Sequence, residues 1–303
     1  CYNVATGIFT ALGDSKTPLY FLIGSSVGNV VLDYLFVAVF HFGVSGVGWA
    51  TFLAQGIAGI LAVITLLRRV AKLPTGHGKV MLYSKSMLRR IAKIAVPSIL
   101  QQSFVSVGNI FIQSLVNSFG SAVIAGYSAA IKLNTFTITS FSTLGNALSS
   151  FSAQNIGAAK IDRVRKGFRA GTMLAWIIAV PFFVLFFFFG NEMLWIFMEN
   201  PTGGAMKAGM AFLKIVSPFY FIISLKLLAD GLLRGSSAMI GFMVSTFTDL
   251  ILRVILAYVF AGLFGSTGIW MSWPVGWSIS AIISLLFYRY TWKQLSVERR
   301  LLK

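Results

Sequence analysis

The chain has 303 residues, 57% of them hydrophobic and 15% aromatic, and only 11% are charged. A soluble domain carries about 25% charged residues, so a surface bathed wholly in water is excluded and lipid must solvate much of this chain. The net charge of +17 would suit nucleic acid only if it formed one basic face with base-reading side chains, whereas here it gathers in the gaps between apolar runs.

A bilayer core needs about 20 apolar residues per helix. The run Tyr2–Leu12 reads as the end of a helix, and eight spans follow it. They are Thr17–Phe42, Gly46–Leu67, Ile94–Phe119, Ala122–Phe151, Gly171–Ile196, Ala211–Leu233, Ile240–Phe264 and Gly268–Tyr288. The fold class expected is therefore an all-α polytopic membrane protein with eight transmembrane helices. The fourth span is rich in Ser, Thr and Asn, so its lower end is expected to project into water. No span has a charged n-region before it and a small-residue cleavage site after it, so none reads as a signal peptide. Pro97, Pro181 and Pro218 fall inside spans, where helices kink, and the run Phe182–Phe189 reads as lipid contact.

The gaps set an expected orientation. On one side lie Lys16, then Arg68 through Lys93, then Lys160 to Arg169, then Arg234 and the tail bases; this side holds twenty of the 25 basic residues. The intervening gaps hold Lys207 beside Glu192 and Glu199. By the positive-inside rule the basic side is cytoplasmic, and an even number of spans puts both ends of the chain there, in a cell membrane.

Two stretches repeat. Gly7–Leu12 leads into the first span as Gly231–Ser236 leads into the seventh; Ser25–Leu32 aligns with Ser245–Leu252, pairing Asn29 with Asp249; and Gly43–Trp49 is similar to Gly265–Trp270, all at an offset of about 220 residues. The copies are six spans apart and enter the membrane in the same direction, as parallel repeats do. A six-helix unit ending at the C-terminus would begin near Lys85. Its earlier copy would begin roughly 130 residues before Cys1, so four helices are expected to precede the present sequence.

A family resemblance rests on these segments and others in order. The loop Gly13-Asp14-Ser15-Lys16-Thr17-Pro18-Leu19, then Val30-Val31-Leu32-Asp33 and Gly46-Val47-Gly48-Trp49-Ala50-Thr51, is similar to the fifth and sixth helices of MATE (multidrug and toxic compound extrusion) transporters. Pro97–Ser103 resembles the start of their seventh helix, Gly145–Leu148 with Ala153–Ala158 the end of the eighth, and Gly231–Gly235 the end of the tenth. The resemblance covers helices five to twelve. It implies a twelve-helix fold of two six-helix lobes. Residues 1–67 would be the end of helix four with helices five and six of the N-lobe, 68–93 a basic cytoplasmic linker, and 94–303 the C-lobe. It further implies a secondary antiporter that is no enzyme, is a monomer at full length and uses no cofactor. Drug-like, often cationic, small molecules would leave in exchange for H+ or Na+.

Asp33 is the leading candidate for coupling, because acids inside lipid-embedded helices face a cavity or a partner. Asn29 lies one turn away on the same face. The resemblance adds Thr51 on the next helix as the third member of a cation site. Burial disfavours the charged carboxylate, so Asp33 can load and release a proton; the three oxygens also suit Na+, a hard cation. The family's partner acid on helix one has no counterpart here, and Val105 and Ile223 stand where some members carry second-lobe acids. Gln102, Asn109 and Gln113, with Ser106 among them, form a polar stripe that either lines a substrate cavity or bonds between helices. Lys132 lacks an obvious local partner and is assigned to the cavity with them. Lys214 is placed to snorkel, and Lys226/Asp230 and Asp249/Arg253 are spaced to neutralise each other locally.

No nucleophile–base pair or phosphate loop supports an enzyme. Cys1, the single cysteine, excludes a disulfide framework, and His41 and His77 do not make a zinc centre. The rival is a lipid-linked oligosaccharide flippase of the same architecture, kept open by Lys132, Lys226 and Arg253 as cations for a pyrophosphate.

Overall fold

The computed structural model describes residues 2–72, 83–198 and 203–301, with side chains through Leu295. The middle of the expected linker, including His77 and Lys79, lies outside the described residues, as do Cys1, Glu199, Lys303 and the side chains of Arg299 and Arg300. The chain divides into two compact units, Cys1–Tyr83 and Ser84–Lys303.

The first unit is built from α1 (Tyr2–Ala11), α2 (Lys16–Tyr34) and α3 (Gly43–Val70). Gly13, at φ +81°, closes α1; the left-handed turn lets the Asp14 amide donate back to the Phe9 carbonyl at 2.9 Å. A short π-helical stretch, Leu35–Val39, extends α2 and brings Phe36 against Gly46 of α3, where a Cβ would lie 3.0 Å from that of Phe36. Ala5 and Phe9 of α1 pack on Ala62 and Leu66 of α3 to form the unit's core.

The second unit holds α4 (Lys85–Asn117), α5 (Ser121–Gly157), α6 (Ile161–Phe188), α7 (Gly190–Trp195), α8 (Gly203–Val216), α9 (Tyr220–Gly235), α10 (Met239–Phe264) and α11 (Ser266–Leu301). The nine residues Lys85–Lys93 form the first turns of α4. α4 and α6 run through Pro97 and Pro181. Pro218 instead sits in the 3-10 turn Ser217–Phe219 that separates α8 from α9, because its ring and missing N–H cannot continue the ladder there.

Seven segments among the described residues are long and apolar enough to cross a membrane. The eighth expected span, α5, is 37 residues long but too polar to meet that standard. Its Asn134, Thr137 and Ser152 are buried. Such groups are tolerated at membrane depth when the neighbours are protein and not lipid, and α5 packs on α6, α8 and α9.

Small residues let that packing close to backbone contact, as in membrane bundles generally. A Cβ on Gly231 would lie 2.1 Å from the Gly145 carbonyl oxygen, one on Gly235 2.3 Å from that of Ser149, and one on Gly126 2.2 Å from that of Ala205. At the other end Tyr127 stacks on Trp270 with ring centres 5.1 Å apart, and Phe212 meets Trp270 and Trp273 edge-on. The phenylalanine run expected in lipid is divided. Phe186 is buried against Tyr220, while Phe188 and Phe189 are exposed.

Candidate functional site

The α2–α3 hairpin brings together two of the three expected site residues. The Asn29 side-chain amide donates to the Thr51 hydroxyl at 3.4 Å, and a turn earlier the Ser25 hydroxyl donates to the Ala54 carbonyl at the same distance. The spacing of four along α2 and the small residues Ala50 and Ala54 on α3 allow this approach. Asn29, Thr51, Ser25 and Gln55 line a cavity of about 950 Å3 within the unit. Asp33 is half-buried one turn past Asn29 and is not part of that lining. No hydrogen bond joins it to Asn29 or Thr51, and its Oδ1 is buried without a partner. A carboxylate oxygen in that state requires a proton, a cation or water.

The loop before α2 carries a contact that the sequence reading missed. Asp14 Oδ1 accepts the backbone amides of Lys16 and Thr17, both at 3.1 Å, and its Oδ2 accepts the Thr17 hydroxyl at 2.7 Å. Arg69, at the far end of α3, donates to the same Oδ2. The Thr17 hydroxyl and amide first, and then the Arg69 charge and the Lys16 amide, hold the Asp14 carboxyl below its ordinary value, against a smaller upward push from burial. An Asp three residues ahead of a Thr at a helix start is a capping signature. Arg69, 55 residues away, had no such signal.

The stripe on α4 is not a single constellation. Gln102 and Asn109 are exposed, and Gln113 is half-buried and donates to Asn117 at 2.9 Å. The helix docks on α10 through Gly108, where a Cβ would clash with Leu250, and through Phe104 on Phe247. Lys132 is exposed on α5 and forms no ion pair among the described residues. Lys214 is exposed as well, and Ile223 is buried in the main core.

Of the two local charge pairs expected in the second unit, one forms. Lys226 and Asp230 sit 2.7 Å apart with both side chains buried. Ser284 of α11 donates to Asp230 at 2.6 Å and is bonded in turn to Ser245 of α10. Asp249 and Arg253 do not pair. The Arg253 guanidinium lies 4.6 Å over the Trp273 ring, and Asp249 Oδ1 is buried with no partner. The indole face offers the cation a nearby neighbour, and the α11 backbone passes close to Asp249 at Gly276, where a Cβ would lie 2.8 Å from Asp249 Oδ1.

Residues 97–259 match the MatE family model, more than half of the chain. The chain belongs to the MATE family. With seven apolar segments, this makes it a multi-pass membrane protein. The chain is 31% identical over 301 residues to the probable multidrug resistance protein YpnP of Bacillus subtilis, covering 98% of this chain and 66% of that protein. It is 23% identical over 285 residues to the multidrug export protein MepA of Staphylococcus saprophyticus, covering 93% of this chain and 62% of that protein. The chain thus spans about two thirds of the length of these MATE relatives. Among solved structures, an outward-facing multidrug resistance MATE transporter superposes with a TM-score of 0.88 at 20% identity, over 97% of this chain and 66% of that one. A MATE crystal structure in the bent conformation gives 0.86 at 20% identity, over 99% and 66%. The MATE fold is therefore present in both units.

Proposed function

We propose that this chain belongs to a secondary antiporter that exports drug-like, often cationic, compounds in exchange for H+ or Na+. In this reading the first unit is part of the N-lobe and the second is the C-lobe. Both ends of the chain lie in the cytoplasm, the protein resides in the cell membrane, and the full-length transporter is a monomer. The coupling ion is bound by Asp33 with Asn29 and Thr51, and the substrate cavity includes Gln102, Asn109, Gln113 and Lys132. The relatives named for multidrug resistance and export support the substrate class.

The observation that carries the coupling assignment is the buried, unpartnered Oδ1 of Asp33, one turn from the Asn29–Thr51 contact. An antiporter couples through a site where ion and substrate occupancy depend on each other. A gradient of one pH unit supplies about 1.4 kcal/mol per proton, and none if no proton is carried. The flippase alternative draws less support: Lys226 is buried against Asp230 and Arg253 against Trp273, which leaves Lys132 as the accessible cation of the three.

The test is efflux of a fluorescent cation from vesicles carrying the protein under an imposed H+ or Na+ gradient. Asp33→Asn keeps the size and removes the titratable group. Gradient-driven efflux is expected to fall at least tenfold, about 1.4 kcal/mol, with substrate binding retained. Wild-type rates in that variant would place coupling elsewhere.

A further inference from the structure

Among the described residues, four charged side chains are buried in the second unit: Lys226, Asp230, Asp249 and Arg253. Two of them satisfy each other, as the 2.7 Å Lys226–Asp230 pair with its Ser284 bond shows. The other two do not. Asp249 is only 8% exposed and its Oδ1 has no hydrogen-bond partner. No cation lies within ion-pair distance of it among the described residues. One turn earlier on α10, the hydroxyl of Thr246, 4% exposed, is also without a partner, and residues three apart share a helix face.

No base among the described residues forms an ion pair with that carboxylate. On its own helix the nearest base, Arg253, is drawn over Trp273. α9 faces it with Lys226 and Asp230, already joined. α11 has no charged residue from Ser266 to Tyr288, and α4 has none from Ile94 to Asn117. The closest element is the α11 backbone at Gly276, which any side chain would push into Asp249 Oδ1. A buried carboxylate with no ion pair costs several kcal/mol, and a proton or a cation from outside the chain would offset that cost.

We infer that Asp249, with the Thr246 hydroxyl beside it, is a second monovalent-cation site, filled by a proton or by Na+, within the α10–α11 hairpin. The internal repeat agrees, since Asp249 holds in α10 the place that Asn29 holds in α2, and Ser245 that of Ser25. This goes beyond the antiport reading, because the site neither includes Asp33 nor requires it. When a proton fills it, the carboxylate becomes a carboxylic acid and no other bond changes. When Na+ fills it, carboxylate and hydroxyl oxygens are the ligands, as hard cations prefer.

The experiment is carbodiimide labelling of the purified protein in lipid nanodiscs, read residue by residue by mass spectrometry. N,N′-dicyclohexylcarbodiimide adds to protonated carboxyls in apolar surroundings, so Asp249 is expected to be labelled and the paired Asp230 spared. For a proton site, labelling falls about tenfold per pH unit above its midpoint and ignores sodium. For a sodium site, sodium chloride suppresses the label and choline chloride does not. Absence of label at Asp249 at every pH, with and without sodium, overturns the site. In parallel, the melting temperature of the wild type should rise with the filling cation; part of that rise should persist in Asp33→Asn, where Asp249 remains, and adding Asp249→Asn to that variant should abolish it. A cation response lost in Asp33→Asn but kept in Asp249→Asn overturns this inference and leaves the first site standing.

Discussion

In the α2–α3 hairpin an amide meets a hydroxyl beside open space; in the α10–α11 hairpin the same register puts a carboxylate against bare backbone. The repeat makes the exchange legible. Asn29 becomes Asp249, Asp33 becomes Arg253, Ala54 becomes Gly276, and Thr51 becomes Trp273. Both hairpins keep a glycine where the second helix starts, Gly46 and Gly268, and both pack it tightly. The substitution of an indole for a hydroxyl is what separates them. Trp273 is buried and offers its face to Arg253, whereas Thr51 lines the cavity of the first unit. One architecture thus yields a cavity in the first unit and a closed, charge-lined core in the second, and each retains one carboxylate oxygen without a partner, on Asp33 and on Asp249.

The comparison breaks most visibly where charge balance holds the closed hairpin. Lys226→Met leaves Asp230 buried without its cation and should lower stability by about 3–5 kcal/mol, measured by thermal unfolding in detergent. Asn29→Ala, which removes a 3.4 Å bond beside the cavity, should cost no more than about 1 kcal/mol. Equal losses would mean that the two hairpins are not built differently. Next in size is the pair at the helix contact. Gly276→Ala places a methyl 2.8 Å from Asp249 Oδ1 and should cost about 1–3 kcal/mol. The corresponding Ala54→Gly should cost about 1 kcal/mol or less, the helix-propensity difference. A tolerated Gly276→Ala would show that α11 can move off Asp249.

The smallest expected effect lies at the mouth of the open hairpin. Asp14 has its folded carboxyl held low by Thr17 and Arg69. A lowered folded value means its contribution is complete above the unfolded value near 3.8 and is lost as pH falls through the folded one. Wild-type stability should therefore lose this increment only in the acid range below about pH 4, and Asp14→Asn should flatten that part of the profile. A loss that begins near neutrality would assign it to other groups.

The helices were legible because apolar runs of membrane length leave little choice of structure; of the repeat's glycines, Gly46, Gly231, Gly235 and Gly268 lie at close contacts, while Gly7, Gly43 and Gly48 face open space. α5 reads as a span by its length although its polar residues lower its hydropathy; Asn134, Thr137 and Ser152 are buried against protein, while Thr135, Thr139, Thr143 and Asn146 are exposed. The Lys226–Asp230 pair was readable from spacing alone. Asp249 and Arg253 have the same spacing and do not pair, because a residue 20 positions from Arg253, Trp273, competes for the guanidinium. Local rules cannot see such a competitor. The Ser245–Ser284–Asp230 chain and the Arg69–Asp14 contact were hidden for the same reason: each joins residues whose neighbourhood exists only after folding.

The backbone contact of α5 with α9 at Gly145 and Gly231 also sets how the second unit should respond to temperature. Helices that separate into lipid expose no apolar surface to water, so parting them carries little of the heat-capacity change that bends the stability curve of a water-soluble domain. Dispersion between backbones is mainly enthalpic and does not fade on cooling as hydrophobic association does. The free energy holding α5 to α9 should therefore vary nearly linearly with temperature, and the seam should hold in the cold, where soluble folds begin to loosen.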